Sequence, residues 1–228
     1  MKQRVAVKGD MSSARLLQVA AHLFREKGYL ATSVRDIALA ANMKSGSIYY
    51  HYPSKDALLE AVMDRAIGAF NDAVGAALVA LGPDHTFEDR LRVAIAAHLR
   101  TVHQYGDFAV ASRESLDKLP EKSRQAHLKL RRQYGEIWRQ LFEQAKKDGL
   151  LRAGVDTGPI QMFILGALNW TSEWLDPQRT DLDAAAGHFS DLVLNGLLAQ
   201  RAVSGRSAGR ARPSPEYPAA PRSRRQKS

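Results

Sequence analysis

Apolar residues recur at three- and four-residue spacing along most of the chain, and proline, glycine or asparagine separates one such run from the next. Leu16, Leu17, Ala20, Ala21, Leu23 and Phe24 form the first stripe, with Gly28 at its stop. Val34, Ile37, Ala38 and Ala41 fall at i, i+3, i+4 and i+7, one face of a short helix. Ser33 followed three residues on by Asp36 predicts a capping box at its start. Asn42, which tolerates a left-handed backbone, predicts its end. The next piece, 45–52, has one aliphatic residue, Ile48, and is otherwise polar or aromatic. Such a helix is poor core material and suits a groove.

Longer stripes follow. Residues 55–81 predict a long connecting helix with Leu58, Leu59, Val62, Ala66 and Phe70 inward. Residues 86–105 carry Leu91, Ile95, Leu99 and Val102, and a shorter piece covers about 107–119. Residues 121–149 carry Leu130, Tyr134, Ile137, Trp138, Leu141 and Phe142, and 156–175 and 181–200 complete the set. Pro53, Pro83, Pro120 and Pro177 lie between stripes, and Pro159 sits where a first helical turn accepts it. No sustained two-residue alternation appears. The expectation is an all-α fold of about nine helices.

Charge divides the 228 residues more sharply than composition does. Residues 1–60 hold nine Lys/Arg against five Asp/Glu, 61–201 seventeen against eighteen, and 202–228 seven against one. The net charge of +9 therefore sits at the two ends of a neutral body. A local positive field at the groove-reading end fits a phosphate backbone. The last segment also holds four of the nine prolines and almost no aliphatics, which predicts disorder. The chain has no cysteine, so disulfides and thiolate metal sites are excluded for it alone. No apolar run approaches the roughly 18–20 residues of a membrane span, and the start lacks a signal-peptide core. The expected setting is cytoplasmic, with no membrane partner.

The stretch 32–62 resembles the helix-turn-helix of the TetR family of bacterial transcriptional regulators. The likeness rests on Gly46, Ser47, Ile48, Tyr49, Tyr50, His51, Tyr52 and Lys55 in order, on the preceding helix with Gly28 and Thr32, and covers about residues 12–62. One position departs. Many members cap the recognition helix with Ser or Thr where this chain has Lys44; either Ser45 caps one residue late or Lys44 meets a phosphate.

Composition predicts a flexible basic arm (1–11) and a disordered Arg/Pro-rich tail (202–228), and between them the resemblance implies a helix-turn-helix domain (12–54) and a helical ligand-binding and dimerisation domain (55–201). The resemblance also implies that Thr32, Tyr49, His51 and Lys55 position the protein on the DNA backbone. Lys44, Ser45, Gly46, Ser47 and Tyr50 then face the base edges, with Gly46 allowing close approach. Tyr52 is expected to pack on the first helix. The run Met162–Trp170 is apolar on every side, which predicts burial between its own domain and a partner copy. By resemblance the last two helices form a four-helix dimer interface, here through Ile160, Phe163, Ile164, Ala167, Phe189, Leu192, Val193 and Gly196.

Candidate ligand contacts are the polar or aromatic residues at positions expected to be buried: Phe70, His98, Phe108, Tyr134, Trp138, Phe142, Asn169, Trp170, Glu173 and Trp174. The stretch Gly166–Pro177 is similar to TetR-like regulators of lipid, sterol and aromatic-acid breakdown, several of which answer to acyl-CoA. Arg131, Arg132 and Arg139 either reach the CoA phosphates or form a solvated helix face. The implied function is a homodimeric repressor that binds a palindromic operator in double-stranded DNA and is released by a small hydrophobic ligand. The alternative is non-specific nucleic-acid binding through the basic tail. No cofactor, metal site or catalytic group is expected: HExxH, P-loop and GxSxG patterns are absent, and His98 and His103 lie about 140° apart on a helix.

Overall fold

The computed structural model describes residues 2–82 and 84–198. Among them are nine α-helices: α1 Lys2–Lys27, α2 Val34–Ala40, α3 Ser45–His51, α4 Lys55–Leu81, α5 Phe87–Gln104, α6 Gly106–Ser115, α7 Glu121–Lys147, α8 Thr157–Trp174 and α9 Leu182–Leu197. A 3-10 turn, Leu116–Lys118, follows α6, and the one strand-like feature among the described residues is an isolated bridge between Leu151 and Leu198. Helix α1 takes in residues 2–11, where the sequence predicts a flexible arm. The tail 202–228 lies outside the described residues.

The predicted starts and stops are made by the predicted residues. Ser33 accepts from the Asp36 backbone N–H at 3.1 Å while Asp36 accepts from the Ser33 N–H at 2.8 Å, closing the capping box. That same pairing holds the Asp36 carboxyl below its ordinary range. A second box, Thr86 with Asp89, opens α5. Asn42 adopts φ 55°, and the Met43 N–H reaches back to the Ala38 carbonyl at 2.8 Å. This is the αL helix stop that satisfies the last carbonyls of α2 and turns the chain sharply into α3.

Two apolar clusters form. The first joins Leu16, Ala20 and Phe24 of α1, Ile37 and Ala38 of α2, Ile48 of α3, and Leu58, Leu59, Val62, Met63 and Ala66 of α4. Phe108 and Ala111 of α6 complete it from behind. The second joins Ile67, Phe70 and Val74 of α4 with Leu91, Ile95, Leu99 and Val102 of α5, Trp138 and Phe142 of α7, and Ile164, Leu168 and Leu194 of α8 and α9. Packing therefore divides inside α4, near residue 66, rather than at the expected 54/55 boundary.

Helix α8 buries one side of its apolar run and leaves the other open. Ile164, Leu168 and Thr171 are buried against the chain's own core, but Met162 is 65% exposed, Phe163 71%, Trp170 58% and Trp174 59%. Its apolar circumference is split into an inward face and an open one within a single chain. On α9, Leu192 is likewise 73% exposed. Two ion pairs, Arg92 with Asp191 at 2.5 Å and Arg100 with Asp183 at 2.6 Å, run from α5 to α9.

A β-branched residue at position 42 would be strained in the left-handed region. Asn42→Val is expected to cost about 1–2 kcal/mol, read as a lowered melting temperature in thermal denaturation.

Candidate nucleic-acid interface and buried polar core

Helix α3 is anchored by one fully buried side chain, Ile48, and leaves the rest of its surface open. Tyr49 is 52% exposed and Tyr50 86%, and Lys44, Gly46, Ser47 and His51 lie at least partly open as well. Lys44 occupies the N-cap with an extended backbone and makes no side-chain cap bond, so its ammonium is not used in starting the helix. Ser45 is the first helical residue rather than a late cap. The space around the missing Cβ of Gly46 is empty, so a flat surface can approach the backbone there. Tyr52 packs inward as expected, its hydroxyl 3.0 Å from Ser13 Oγ on α1. The edge-on contact of Tyr50 with His51, 5.3 Å between ring centres, links the two exposed rings.

Two residues expected at the DNA backbone are used inside the protein instead. Thr32 is 1% exposed, and its hydroxyl is directed at the carbonyls of Gly28 at 2.8 Å and Leu23 at 3.2 Å. It closes the end of α1, where Gly28 turns with φ 79° and leaves carbonyls to satisfy. Lys55 donates from Nζ to the carbonyls of Tyr29 and Thr32, both at 2.9 Å. Its ammonium also sits 4.1 Å from the centre of the Tyr29 ring. The Tyr29 hydroxyl in turn donates to Asp56, and burial together with that carboxylate pushes the phenol's pKa up. Lys55 thus ties the first residues of α4 to the turn after α1. Two of its three protons are engaged, which is why a role confined to phosphate contact does not hold. The sequence carries no signal for the Tyr29–Lys55–Asp56 link, since its partners are 26 and 27 residues apart.

Within the second cluster, four of the expected ligand contacts converge. His98 is 1% exposed, Trp138 0%, and Tyr134 and Phe70 6%. His98 Nδ1 lies 2.5 Å from the Tyr134 hydroxyl, and the two rings are stacked. Phe70 approaches His98 at 4.8 Å between ring centres, and Trp138 meets it edge-on at 5.9 Å. Burial drives the imidazole pKa down from 6.5 to about 3, with a smaller opposing pull from the Asn169 amide beside it. Among the described residues two buried nitrogens, His98 Nε2 and Trp138 Nε1, have no well-formed hydrogen bond.

The other candidates fall elsewhere. Phe108 packs in the first cluster, 5.8 Å from the Tyr105 ring, because α6 folds back against α1. Phe142 is buried but faces Phe87 at 6.0 Å. Trp170 and Glu173 lie on the open face of α8, where Arg113 covers the Trp170 ring at 5.6 Å and meets Glu173 at 3.4 Å. Among the dimer candidates, Ile164 is 3% exposed and belongs to the chain's own core. Ile160, Phe189 and Val193 are partly buried against that core, while Phe163, Ala167, Leu192 and Gly196 are open. Arg131, Arg132 and Arg139 are all exposed, and Arg139 pairs with Glu136 at 2.5 Å. A solvated face accounts for them.

At the junction of the two clusters the buried His127 of α7 links α6 and α4, with Nε2 3.2 Å from Ser112 Oγ and Nδ1 3.4 Å from Asp64. The order hydroxyl, imidazole, carboxylate resembles a hydrolytic triad. Ser112 is only 9% exposed, however, and the three groups serve to pin three helices together.

Comparison with known proteins follows the same division. The family described as "Bacterial regulatory proteins, tetR family" matches residues 16–62, and "Tetracyclin repressor-like, C-terminal domain" matches 84–197. The transcriptional repressor KstR2 of Rhodococcus jostii is 29% identical over 188 residues, covering 80% of this chain and 89% of the relative. The crystal structure of PfmR from Thermus thermophilus, a TetR family transcriptional regulator, superposes with a TM-score of 0.71 at 29% identity, covering 80% and 98% of the two chains. AibR, solved in complex with isovaleryl coenzyme A and operator DNA, shares the fold with a TM-score of 0.68 at 23% identity, covering 82% and 98%.

Replacing Lys55 by Met keeps its stem and removes its charge. The expected loss is about 1–3 kcal/mol of stability in the first cluster, measured by thermal or urea denaturation. His98 gives a pH test. Unfolded, it takes up a proton near 6.5; folded, it stays neutral down to about 3, so the unfolded state binds more protons and stability falls as pH drops below 6.5. That fall is about 2 kcal/mol from pH 7 to pH 5, and His98→Phe is expected to flatten it by that amount in urea titrations at each pH.

Proposed function

This chain belongs to the TetR family of bacterial regulatory proteins, and on that premise we propose that it is a cytoplasmic, homodimeric transcriptional repressor released from its operator by a hydrophobic ligand. It acts by binding and not by catalysis. One observation carries the DNA reading: α3 has a single buried anchor, Ile48, and presents its other chemistry-bearing side chains outward. A helix held by its back and polar on its front is the form that enters a major groove. In this reading Lys44, Ser45, Gly46, Ser47 and Tyr50 face base edges, while Tyr49 and His51 donate to phosphates. Thr32 and Lys55 hold the helix pair in shape behind them.

A dimer supplies the second recognition helix that a two-fold operator needs, its half-sites about 34–36 Å, or a multiple of one helical turn, apart. The open apolar residues Met162, Phe163, Trp170 and Trp174 on α8, with Leu192 on α9, support a partner surface there. On the same two helices Gly166 and Gly196 have open space where a Cβ would stand, which lets helices approach closely. The ligand proposed is an acyl-CoA thioester. AibR's complex with isovaleryl coenzyme A supports that class, and KstR2's likeness supports the repressor role.

An operator selected from a random DNA pool and measured by fluorescence anisotropy tests the reading. Acyl-CoAs of graded chain length are expected to release the protein from that operator; release by none of them would remove the ligand assignment. Lys44→Ala distinguishes its two possible roles. If it meets phosphate, the slope of log K against log salt falls by about 0.9 with unchanged base preference. A changed preference at one position makes it a base reader.

A further inference from the structure

The two orphaned nitrogens of the second cluster, His98 Nε2 and Trp138 Nε1, carry chemical information about what the core accepts. Buried polar groups in folded proteins are nearly always hydrogen-bonded, so two unpaired ones in contacting side chains call for a partner. The Asn169 side chain is within weak hydrogen-bonding reach of the imidazole, and the Trp138 indole of the Tyr134 hydroxyl, but neither contact gives these nitrogens a well-formed bond. Their polarity follows from the hydrogen bonding around them. The Trp138 nitrogen is a donor only. His98 Nδ1 lies 2.5 Å from the Tyr134 hydroxyl, which has no other acceptor for its proton among the described residues, the Trp138 indole being a donor. A buried phenol keeps its proton and must place it, so Tyr134 donates to Nδ1 and His98 carries its own hydrogen on Nε2. Both orphans are then donors. No orphaned side-chain acceptor accompanies them among the described residues.

We propose that the His98 Nε2–H and Trp138 Nε1–H form a receptor for a neutral carbonyl oxygen, so that the core selects a thioester, ester or ketone with an apolar body and rejects the corresponding carboxylate. This deepens the ligand-release reading above and rests on it. A carbonyl oxygen has two lone pairs and takes both hydrogens. A carboxylate would bring a full charge into a site walled by the Phe70 ring, with no cation among the buried side chains of that cluster. Burying an ion without a counter-charge is far costlier than burying a dipole. The imidazole does not supply that charge, since burial holds it neutral through the physiological range.

The entrance we assign lies along the same helices. A cleft of about 560 Å³ between α4, α5 and α7 is lined by Phe87, Arg90, Ile137 and Leu141 among others. Ile137 and Leu141 flank Trp138 on α7, and Arg90 stands two helical turns, about 12 Å, from His98 on α5. In this proposal a ligand held at that cleft, whose lining also includes His85, Gln140, Gln144 and Asp148, parts α5 from α7 to reach the two donors.

The test titrates the full-length, 15N-labelled protein with 2-decanone and, separately, with decanoate at pH 7.5. The indole N–H resonances of the three tryptophans are followed, with Trp138 assigned by Trp138→Phe. The ketone is expected to bind, to raise the melting temperature and to move the Trp138 indole signal downfield. Decanoate is expected to bind at least tenfold more weakly. His98→Phe and Trp138→Phe are each expected to weaken ketone binding about tenfold, the loss of one hydrogen bond. The wild-type resonance shift keeps the test intact where a variant fails to fold. Equal affinity for ketone and carboxylate, ketone binding with an unmoved Trp138 signal, or absence of ketone binding each overturns the proposal. Release of operator by decanoyl-CoA with Trp138 unmoved overturns it too, while leaving ligand-controlled repression standing. Failure of every acyl-CoA to release operator removes that broader reading instead.

Discussion

One helix is built into both cores, and the rest of the molecule is arranged around that constraint. Helix α4 has 27 residues, about 40 Å of rod. Its first three turns place Leu58, Leu59, Val62 and Met63 against the helix-turn-helix, and its next turns place Ile67, Phe70 and Val74 against α5 and α7. A close-packed interior does not deform continuously. Displacing α5 or α7 therefore either carries α4 along or breaks its packing with α1. His127, reaching from α7 to Ser112 and Asp64, fastens the same joint from the side. Phe70 stands at the point where this rod meets the buried polar cluster, 4.8 Å from His98.

At the other end the head is held by hydrogen bonds as much as by apolar contact. Helix α3 has seven residues, too short to be stable alone, so its orientation depends on what surrounds it. Ile48 supplies the anchor, the Asn42 turn fixes the angle to α2, and Lys55 with Thr32 clamps the end of α1 to the start of α4. The interior use of Lys55 and Thr32 frees the exposed face of α3 from any structural duty. Its side chains are then available to a groove.

The second cluster departs from what an apolar core requires. A histidine, a tyrosine and a tryptophan nitrogen inside a helical bundle cost stability wherever they lack partners. Places where local rules are broken in an otherwise consistent fold are where function is concentrated. Here the break occurs between the helices that pack on the second half of α4. The buried polar groups and α4 are in contact through Phe70.

Much of this is written in the one-dimensional pattern. Helical period, the Ser33–Asp36 box, the Asn42 stop and the lone anchor of 45–52 are local features. Each depends on residues within four positions of one another, so the sequence alone determined the helices of the described residues, the turn between α2 and α3 and the outward face of α3. The role of Lys55 was not legible, because its partners lie 26 and 23 residues away and become neighbours only when α1 folds against α4. Which side of α8 turns inward was not legible either. An all-apolar helix has no polar stripe to say which side meets its own core, and only packing against α5 and α7 decided it. Tertiary structure also sorted the aromatics: it brought Phe70, His98, Tyr134 and Trp138 together, sent Phe108 to the other core and left Trp170 at the surface. Spacing along a helix fixes which residues share a face, but which faces meet is set by the close packing of whole helices, a contest the linear pattern does not contain.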